Sequence, residues 1–214
     1  MGHPVFVRVF AAVAALAEDR GLGKLRAKAV AGIEGTVVEV GAGSGLNFAH
    51  YSDSVSQIIA VEPEAYLRER AATLADERVR LLEGTAEALP VADDSADAVL
   101  FCLVLCSVTD QAAALTEAAR VLRPGGTLHL LEHVQAHRPG PMRSLQRGLD
   151  ATVWPALFGG CHCSRDTEAA VEAAGFEWVV KERRHYPDVP RLPVSPHVYA
   201  VARRRESTDP GLPR

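Results

Sequence analysis

The sequence predicts an α/β protein built on a doubly wound parallel sheet. Three observations carry that expectation. Apolar or β-branched runs alternate with helical patterns from about residue 36 to residue 131, the rhythm of right-handed strand–helix–strand crossovers. The first run, Val37-Val38-Glu39-Val40, ends in three glycines spaced two apart, Gly41, Gly43 and Gly45. Such a loop turns tightly and admits a ligand where any Cβ would collide. About twenty residues on, a second run, Gln57-Ile58-Ile59-Ala60-Val61, ends at Glu62, a carboxylate placed to accept hydrogen bonds from a ribose diol.

The elements follow in order. Residues 4–30 read as helical, with Val5, Phe6, Val9, Phe10, Val13 and Leu16 on one broad face and helical texture resuming at Lys24 after Gly21 and Gly23. Strands are expected at 36–40, 57–61, 79–83 and 97–102; the last is near-continuously apolar, as buried parallel strands are. A short helix is expected from Leu46. Another runs from Pro63, which suits a first helical position, to Leu74. Asp110 caps a helix reaching Leu122, and Pro124-Gly125-Gly126 turns the chain into a fifth strand, Thr127 to Leu131, ending at Glu132-His133. Residues 134–164 break the rhythm and read as an insertion over the site. A helix over 165–174 and strands over 176–181 and 197–202 complete one domain over 1–203, with 1–30 as a helical cover and 204–214 as a disordered tail.

Bulk numbers exclude several classes. At 214 residues, 48% hydrophobic and 23% charged, the chain is an ordinary single globular domain. A net charge of −4 offers no pull toward nucleic acid. No apolar run is long enough to span a bilayer and the N-terminus lacks a signal-peptide layout, so the expectation is a cytoplasmic protein with four free cysteines and no stable membrane insertion. Composition leaves the oligomeric state open.

Glycine spacing narrows the ligand. The dinucleotide fingerprint needs its third glycine one place later, where Leu46 stands, and the phosphate-binding Gly-Lys-Ser/Thr pattern is absent. Glu39, Glu62, Glu83 and Glu87 rim the loops, with no Lys or Arg between residues 29 and 67 to hold a phosphate. A carboxylate rim suits a cationic nucleoside better than a pyrophosphate. S-adenosylmethionine, with a ribose diol, a sulfonium and no phosphate, meets that requirement.

Several segments together resemble the motifs of class I S-adenosylmethionine-dependent methyltransferases: Glu39 to Gly45, Gly84-Thr85-Ala86-Glu87-Ala88-Leu89-Pro90, Asp94-Ser95-Ala96-Asp97 and Val121-Leu122-Arg123-Pro124-Gly125-Gly126. A narrower set is similar to the mammalian methyltransferase-like alkyl-thiol S-methyltransferases, monotopic membrane proteins that methylate small aliphatic thiols. It comprises Leu103 to Val108, Glu132-His133-Val134, Gly160-Cys161, Ser164-Arg165-Asp166 and Pro196-His197-Val198-Tyr199, with His3-Pro4-Val5-Phe6 matching the segment after their anchor. The anchor itself is not in this sequence. The resemblance implies a Rossmann-like seven-stranded sheet of order 3-2-1-4-5-7-6 with the last strand antiparallel. The cofactor set it implies is Glu39, Gly41, Ala42, Gly43, Gly45, Asn47, Glu62, Pro63, Thr85, Ala86, Glu87, Cys102 and Leu103. In that set Glu62 takes the ribose, Pro63, Ala86 and Glu87 border the adenine, and Cys102 and Leu103 lie beside the transferred methyl.

Cys106, Trp154, Phe158 and Cys161 are the candidate acceptor wall, Cys106 standing where many relatives with other acceptors carry histidine. Methyl transfer to a thiol needs in-line positioning and dehydration more than an oxyanion hole. A general base helps moderately: His133 is the first candidate, oriented by Glu132, and His197 the second. Each also reads as packing: His133 as a histidine closing a strand, His197 as the start of an edge strand, Trp154 and Phe158 as core. Cys161-His162-Cys163 does not have the spacing of a structural zinc site, so no metal is expected. The leading function is methyl transfer to a small molecule, favoured acceptor a thiol. The alternatives are O-, N- or C-methylation of a quinone, lipid amine or natural product, a catalytically silent cofactor-binding protein, and a nicotinamide oxidoreductase.

Overall fold

Strand β1 (Gly35–Val40) sits mid-sheet because its apolar run buries side chains on both faces. In the computed structural model, which describes residues 18–187 and 192–205, β1 pairs in parallel with β2 (Val55–Val61) on one side and β4 (Ala96–Cys102) on the other. Outside these lie β3 (Val79–Leu82), parallel to β2, and β5 (Leu122–His133), parallel to β4. β7 (Pro196–Arg204) runs antiparallel to β5, and β6 (Phe176–His185) pairs antiparallel with β7 at the edge. The order β3-β2-β1-β4-β5-β7-β6 is the one the resemblance implied.

Alternation along the strands fills a core on each face. Val38, Val40, Val99, Phe101, Leu128 and Leu130 pack with Ala114, Leu115 and Ala118 of α3 (Gln111–Val121) and Val171 of α6 (Thr167–Ala173). Val37, Ile58, Ala60, Leu100 and Leu131 pack on the other face with Ala29 and Val30 of α1 (Gly23–Val30), Phe48, and Ala71 of α2 (Ala65–Ala72). Removing these apolar surfaces from water is the main force holding helices to both faces. As expected, Asp110 caps α3, its carboxylate accepting from the Ala112 and Ala113 N–H groups.

The insertion holds α4 (Pro141–Asp150) and α5 (Trp154–Leu157). Gln146 of α4 is fully buried and pins it to the sheet end: its Oε1 accepts from Ala136 N–H, and its Nε2 donates to the carbonyls of Val134, Cys163 and Pro193.

Several boundaries differ from the sequence expectation. The helix expected from Leu46 is a single 3-10 turn, Phe48–His50, because Gly45 takes φ +82°, and Tyr51 goes extended to send its hydroxyl back to Glu39. The Pro124-Gly125-Gly126 turn is absorbed as an irregularity at the start of β5, where the register with β4 shifts. β3 stops at Leu82, and β6 runs on past Lys181 to His185. The expected tail begins too early, since Arg204 ends β7 and the Arg205 N–H donates to the Gly175 carbonyl. Most of the expected helix over 4–30 lies outside the described residues; its described part is a π turn, Glu18–Leu22, kinked at Gly21, followed by α1. No helix among the described residues is long and apolar enough to cross a membrane.

Candidate active site at the strand ends

The carboxyl ends of the parallel strands gather the candidate residues, as the doubly wound topology requires. The glycine loop leaves β1 through Gly41, whose N–H donates to the Val61 carbonyl at 2.8 Å. Gly41 has φ +66°, and a Cβ there would sit 2.6 Å from the Val104 side chain. Gly43, at φ +57°, has nothing within 4 Å of where a Cβ would stand. The first glycine is thus required by the protein's own packing, and the second faces open space beside the loop.

Beneath the loop, Glu39 is buried. Its Oε1 accepts from Asn47 Nδ2 at 2.8 Å and its Oε2 from the Tyr51 hydroxyl at 2.9 Å. Burial raises its pKa to about 7 against the pull of those donors and of Arg26. Arg26, from α1, reaches the same place: its guanidinium donates to Asn47 Oδ1 at 3.1 Å and lies 3.3 Å from Cys102 Sγ. The Cys102 thiol is pushed up to about 12 by burial, so it is a neutral wall rather than a nucleophile.

Glu62 ends β2 buried. Its Oε2 accepts from Gly43 N–H at 2.8 Å and its Oε1 from Glu64 N–H at 3.0 Å, tying the glycine loop to the acidic strand end. Burial raises its pKa, while those N–H groups oppose the rise. Each oxygen retains a lone pair for a further donor. Pro63 beside it is exposed. Arg68 is committed locally, donating to the Glu62 and Pro63 carbonyls and pairing with Glu83 at 2.6 Å. After β3, Thr85 and Ala88 form an isolated bridge around Ala86, and Glu87 Oε1 accepts from Thr109 N–H at 2.8 Å, at the entry to α3. With only a 3-10 turn after the glycine loop, no helix dipole is aimed at a phosphate.

On the other side of the site, Leu103 leaves β4 with φ +62°, a strained conformation for a branched residue that costs about 1–3 kcal/mol. Glu132 supports it from β5: its Oε1 accepts from the N–H groups of Val104 and Leu105, at 2.8 and 3.0 Å. Successive strand residues face opposite sides, and Glu132 makes no hydrogen bond to His133. The expectation that Glu132 orients that ring is corrected: Glu132 holds the loop after β4. Burial raises its carboxyl to about 7.

His133 and His197 do meet, as register partners of β5 and β7 with ring centroids 6.1 Å apart. His197 Nδ1 donates to the Ser195 carbonyl at 2.9 Å, and burial lowers its pKa to about 4, so the ring is neutral. His133 Nε2 lies 3.3 Å from Cys161 Sγ, and its buried Nδ1 has no partner. Cys106 Sγ joins them: the ligating atoms of Cys106, His133 and Cys161 all lie within 4.8 Å of one another. The insertion reaches the site here, the His162 N–H donating to the Cys106 carbonyl at 2.8 Å. Trp154 and Phe158 stack on each other at 4.1 Å, and Phe158 is 45% exposed. They form a flank of the insertion and do not join the cluster. A cavity of about 690 Å³ opens elsewhere, between α4 and the ends of β6 and β7, lined by His137, Met142, Arg183 and His185 among others and by none of the candidate residues.

Sequence reasoning missed Arg26, Tyr51 and Gln146. Arg26 lies in a Lys-Leu-Arg-Ala-Lys run that reads as a solvated helix face, and no local pattern marks it as buried. It also missed the trio of Cys106, His133 and Cys161: Cys161-His162-Cys163 was weighed as metal ligands with Cys102 and Cys106 elsewhere, and His133 was not among them.

Residues 38–130 match the methyltransferase domain family. The chain is 34% identical to human thiol S-methyltransferase TMT1A over 173 residues, 78% of this chain and 70% of that protein. It is 36% identical to rat thiol S-methyltransferase TMT1B over 176 residues, 79% of this chain and 70% of that one. A crystal structure of an S-adenosylmethionine-dependent methyltransferase from Thermotoga maritima, 24% identical, covers 94% of this chain and 98% of its own with a TM-score of 0.67.

Proposed function

The chain belongs to the class I S-adenosylmethionine-dependent methyltransferases, and we propose that it transfers the methyl group to the sulfur of a small thiol. The observation that carries the thiol is the reach of the similarity. The alignments to the two thiol S-methyltransferases are nearly twice as long as the 38–130 stretch of the domain match. They therefore take in residues outside that stretch as well as the cofactor half.

The strand ends fit S-adenosylmethionine. Open space at Gly43, spare lone pairs on the buried Glu62 carboxylate and, among the described residues, no cation or helix N-terminus committed to a phosphate match a nucleoside that carries a sulfonium. Gly41, Ala42 and Gly43 would pass under the methionine part, with Glu39, Gly45 and Asn47 holding the loop from below. Glu62 would take the ribose; Pro63, Thr85, Ala86 and Glu87 would border the adenine. When bound, the cofactor supplies a methyl on positively charged sulfur. The chain's task is to place the acceptor behind that carbon at about 3–3.5 Å and to keep water out.

Leu103 and the buried Cys102 would form the floor beneath that position, and the buried Cys106 and Cys161 the acceptor wall. A thiol with a pKa near 8.5 is only a few per cent thiolate at neutral pH. His133 is the nearest group to assist its ionisation, with the neutral His197 behind it. Incubation with S-adenosylmethionine and panels of thiols, alcohols and amines, reading methylated product and demethylated cofactor, tests the reading. Thioether formation is the expected result; turnover of oxygen or nitrogen acceptors with no thiol turned over sinks it.

A further inference from the structure

Cys106, His133 and Cys161 come from three places far apart in the sequence: the loop after β4, the last residue of β5, and the end of the insertion. Two sulfurs and an imidazole nitrogen nevertheless converge within 4.8 Å of one another, Cys161 Sγ and His133 Nε2 at 3.3 Å. Donors around a tetrahedral zinc, each about 2.0–2.3 Å from the metal, stand roughly 3.5–3.8 Å apart. The trio's spread of at most 4.8 Å is within about 1 Å of that spacing. The residues are 3%, 7% and 9% exposed, so the group is shielded. Thiolate and imidazole are the donors zinc prefers over the harder divalent cations.

The count is informative as well. Structural zinc sites carry four protein ligands; reactive ones carry three and leave the fourth position open. Among the described residues the group has three. A sulfur accepts at most a weak hydrogen bond, and the His133 Nδ1 has no partner. The tautomer with its proton on Nδ1 leaves the Nε2 lone pair facing both sulfurs.

We propose that Cys106, His133 and Cys161 bind a zinc-class divalent cation whose open fourth position takes the sulfur of the acceptor thiol. This rests on the thiol reading above and sharpens it. Metal entry displaces the two cysteine protons to solvent. The incoming thiol releases its own proton to solvent as its sulfur coordinates, because a divalent cation favours the thiolate. The sulfur lone pair then forms the new carbon–sulfur bond while the donor's methyl–sulfur bond breaks, its electron pair remaining on the donor sulfur. A neutral thioether, a poorer ligand than a thiolate, leaves. His133 has one lone pair, so as a ligand it is not also the base; the cation takes over acidification of the thiol.

The test uses the full chain, kept reduced with a phosphine, stripped with a chelator and titrated with Co(II), then Zn(II). One equivalent of cobalt should bind with sulfur-to-metal charge-transfer absorption and tetrahedral d–d bands, and zinc should displace it. Cys106→Ala, Cys161→Ala and His133→Ala should each weaken zinc binding roughly 100-fold or more, while His162→Ala does not. Retained S-adenosylmethionine binding certifies each variant's fold, with Cys106→Ser and Cys161→Ser replacing any alanine variant that fails. An alkyl thiol should shift the cobalt d–d bands, and the alcohol of the same chain length should not. Absence of stoichiometric metal, or equal affinity in all the ligand variants, overturns the proposal. Bands indifferent to thiol, or undiminished thiol methylation by stripped protein, overturns the open-position role. Bands that respond to thiol in a protein that methylates only alcohols or amines uphold the metal site while the S-methylation reading falls.

Discussion

Two buried glutamates support the two halves of this site in different ways. Glu39, near the end of β1, lies under the donor loop and is held by side chains from just downstream, Asn47 and Tyr51. Glu132, near the end of β5, lies under the acceptor loop and holds backbone, the N–H groups of Val104 and Leu105. Burial raises both to about 7. The donor half is a local device: partners within twelve residues, each of a particular type. The acceptor half is assembled at a distance, and any residue other than proline at 104 and 105 supplies the same N–H. A sequence can advertise the first kind of support and is silent about the second.

The largest effect that comparison predicts is at Glu132. Glu132→Ala leaves two N–H groups of a strained, largely buried loop without an acceptor, at about 1–3 kcal/mol each. Its unfolding free energy should fall by about 2–5 kcal/mol, measured by urea denaturation, with Glu132→Gln falling less because one oxygen remains. A loss under about 0.5 kcal/mol, the size of an ordinary surface substitution, would mean that the loop after β4 stands without this support and would erase the distinction between the halves.

Legibility followed the same division. The sheet order came with the family resemblance, whereas the candidates from Gly41 to Glu62 stood out because glycine spacing and a strand-terminal carboxylate are short-range patterns, here tied together by the bond from Gly43 N–H to Glu62. His133 and His197 were read as separate candidates, and only the pairing of β5 with β7 brings them face to face. The role given to Glu132 did not survive, because adjacency in sequence suggested contact with His133 where strand alternation separates them. Arg26 was invisible: its burial depends on α1 crossing the end of β4, which its own residues do not encode. Cys106 and Cys161 were each singled out, but nothing in the 54 residues of intervening chain announces that they meet.

Glu39 allows the donor half to be tested by pH. Its carboxyl is raised from 4.5 to about 7, chiefly by burial, with Asn47, Tyr51 and the charge of Arg26 opposing and the neutral Cys102 thiol alongside. A folded-state pKa above the unfolded one means that the native protein keeps its proton longer. The contribution is complete below about pH 4.5, falls as pH rises toward about 7, and is level above. The fall is at most about 3 kcal/mol. Urea unfolding at about pH 5 and about pH 8 should show the wild type losing more stability than Glu39→Gln across that window. Parallel slopes would place the charged carboxylate in the native state and make Arg26 its effective counter-ion.

Glu62→Ala should weaken S-adenosylmethionine by about 1–3 kcal/mol, since it removes a ribose acceptor and frees the Gly43 and Glu64 N–H groups. Equilibrium dialysis with labelled cofactor reads this directly. The KM of the thiol should hold within about twofold if the halves act independently, as distant sites do. An equal loss on both ligands would join them through the glycine loop, where Gly41 leaves no room for a Cβ against Val104.

The smallest effect is expected at the insertion's outer flank. Phe158 is 45% exposed and its ring stacks on Trp154, while the segment's attachment to the site runs through backbone, the Cys161 N–H to the Phe158 carbonyl and the His162 N–H to the Cys106 carbonyl. Phe158→Ala therefore loses one aromatic pair, about 0.5–1.5 kcal/mol, and none of the bonds that hold Cys161 beside His133. Stability should drop by about that amount, with kcat and KM for a short thiol unchanged. A KM that rises steeply for long-chain thiols but not for short ones would extend the acceptor wall outward to this stacked pair, and the acceptor half would then be larger than the cysteine–histidine group alone.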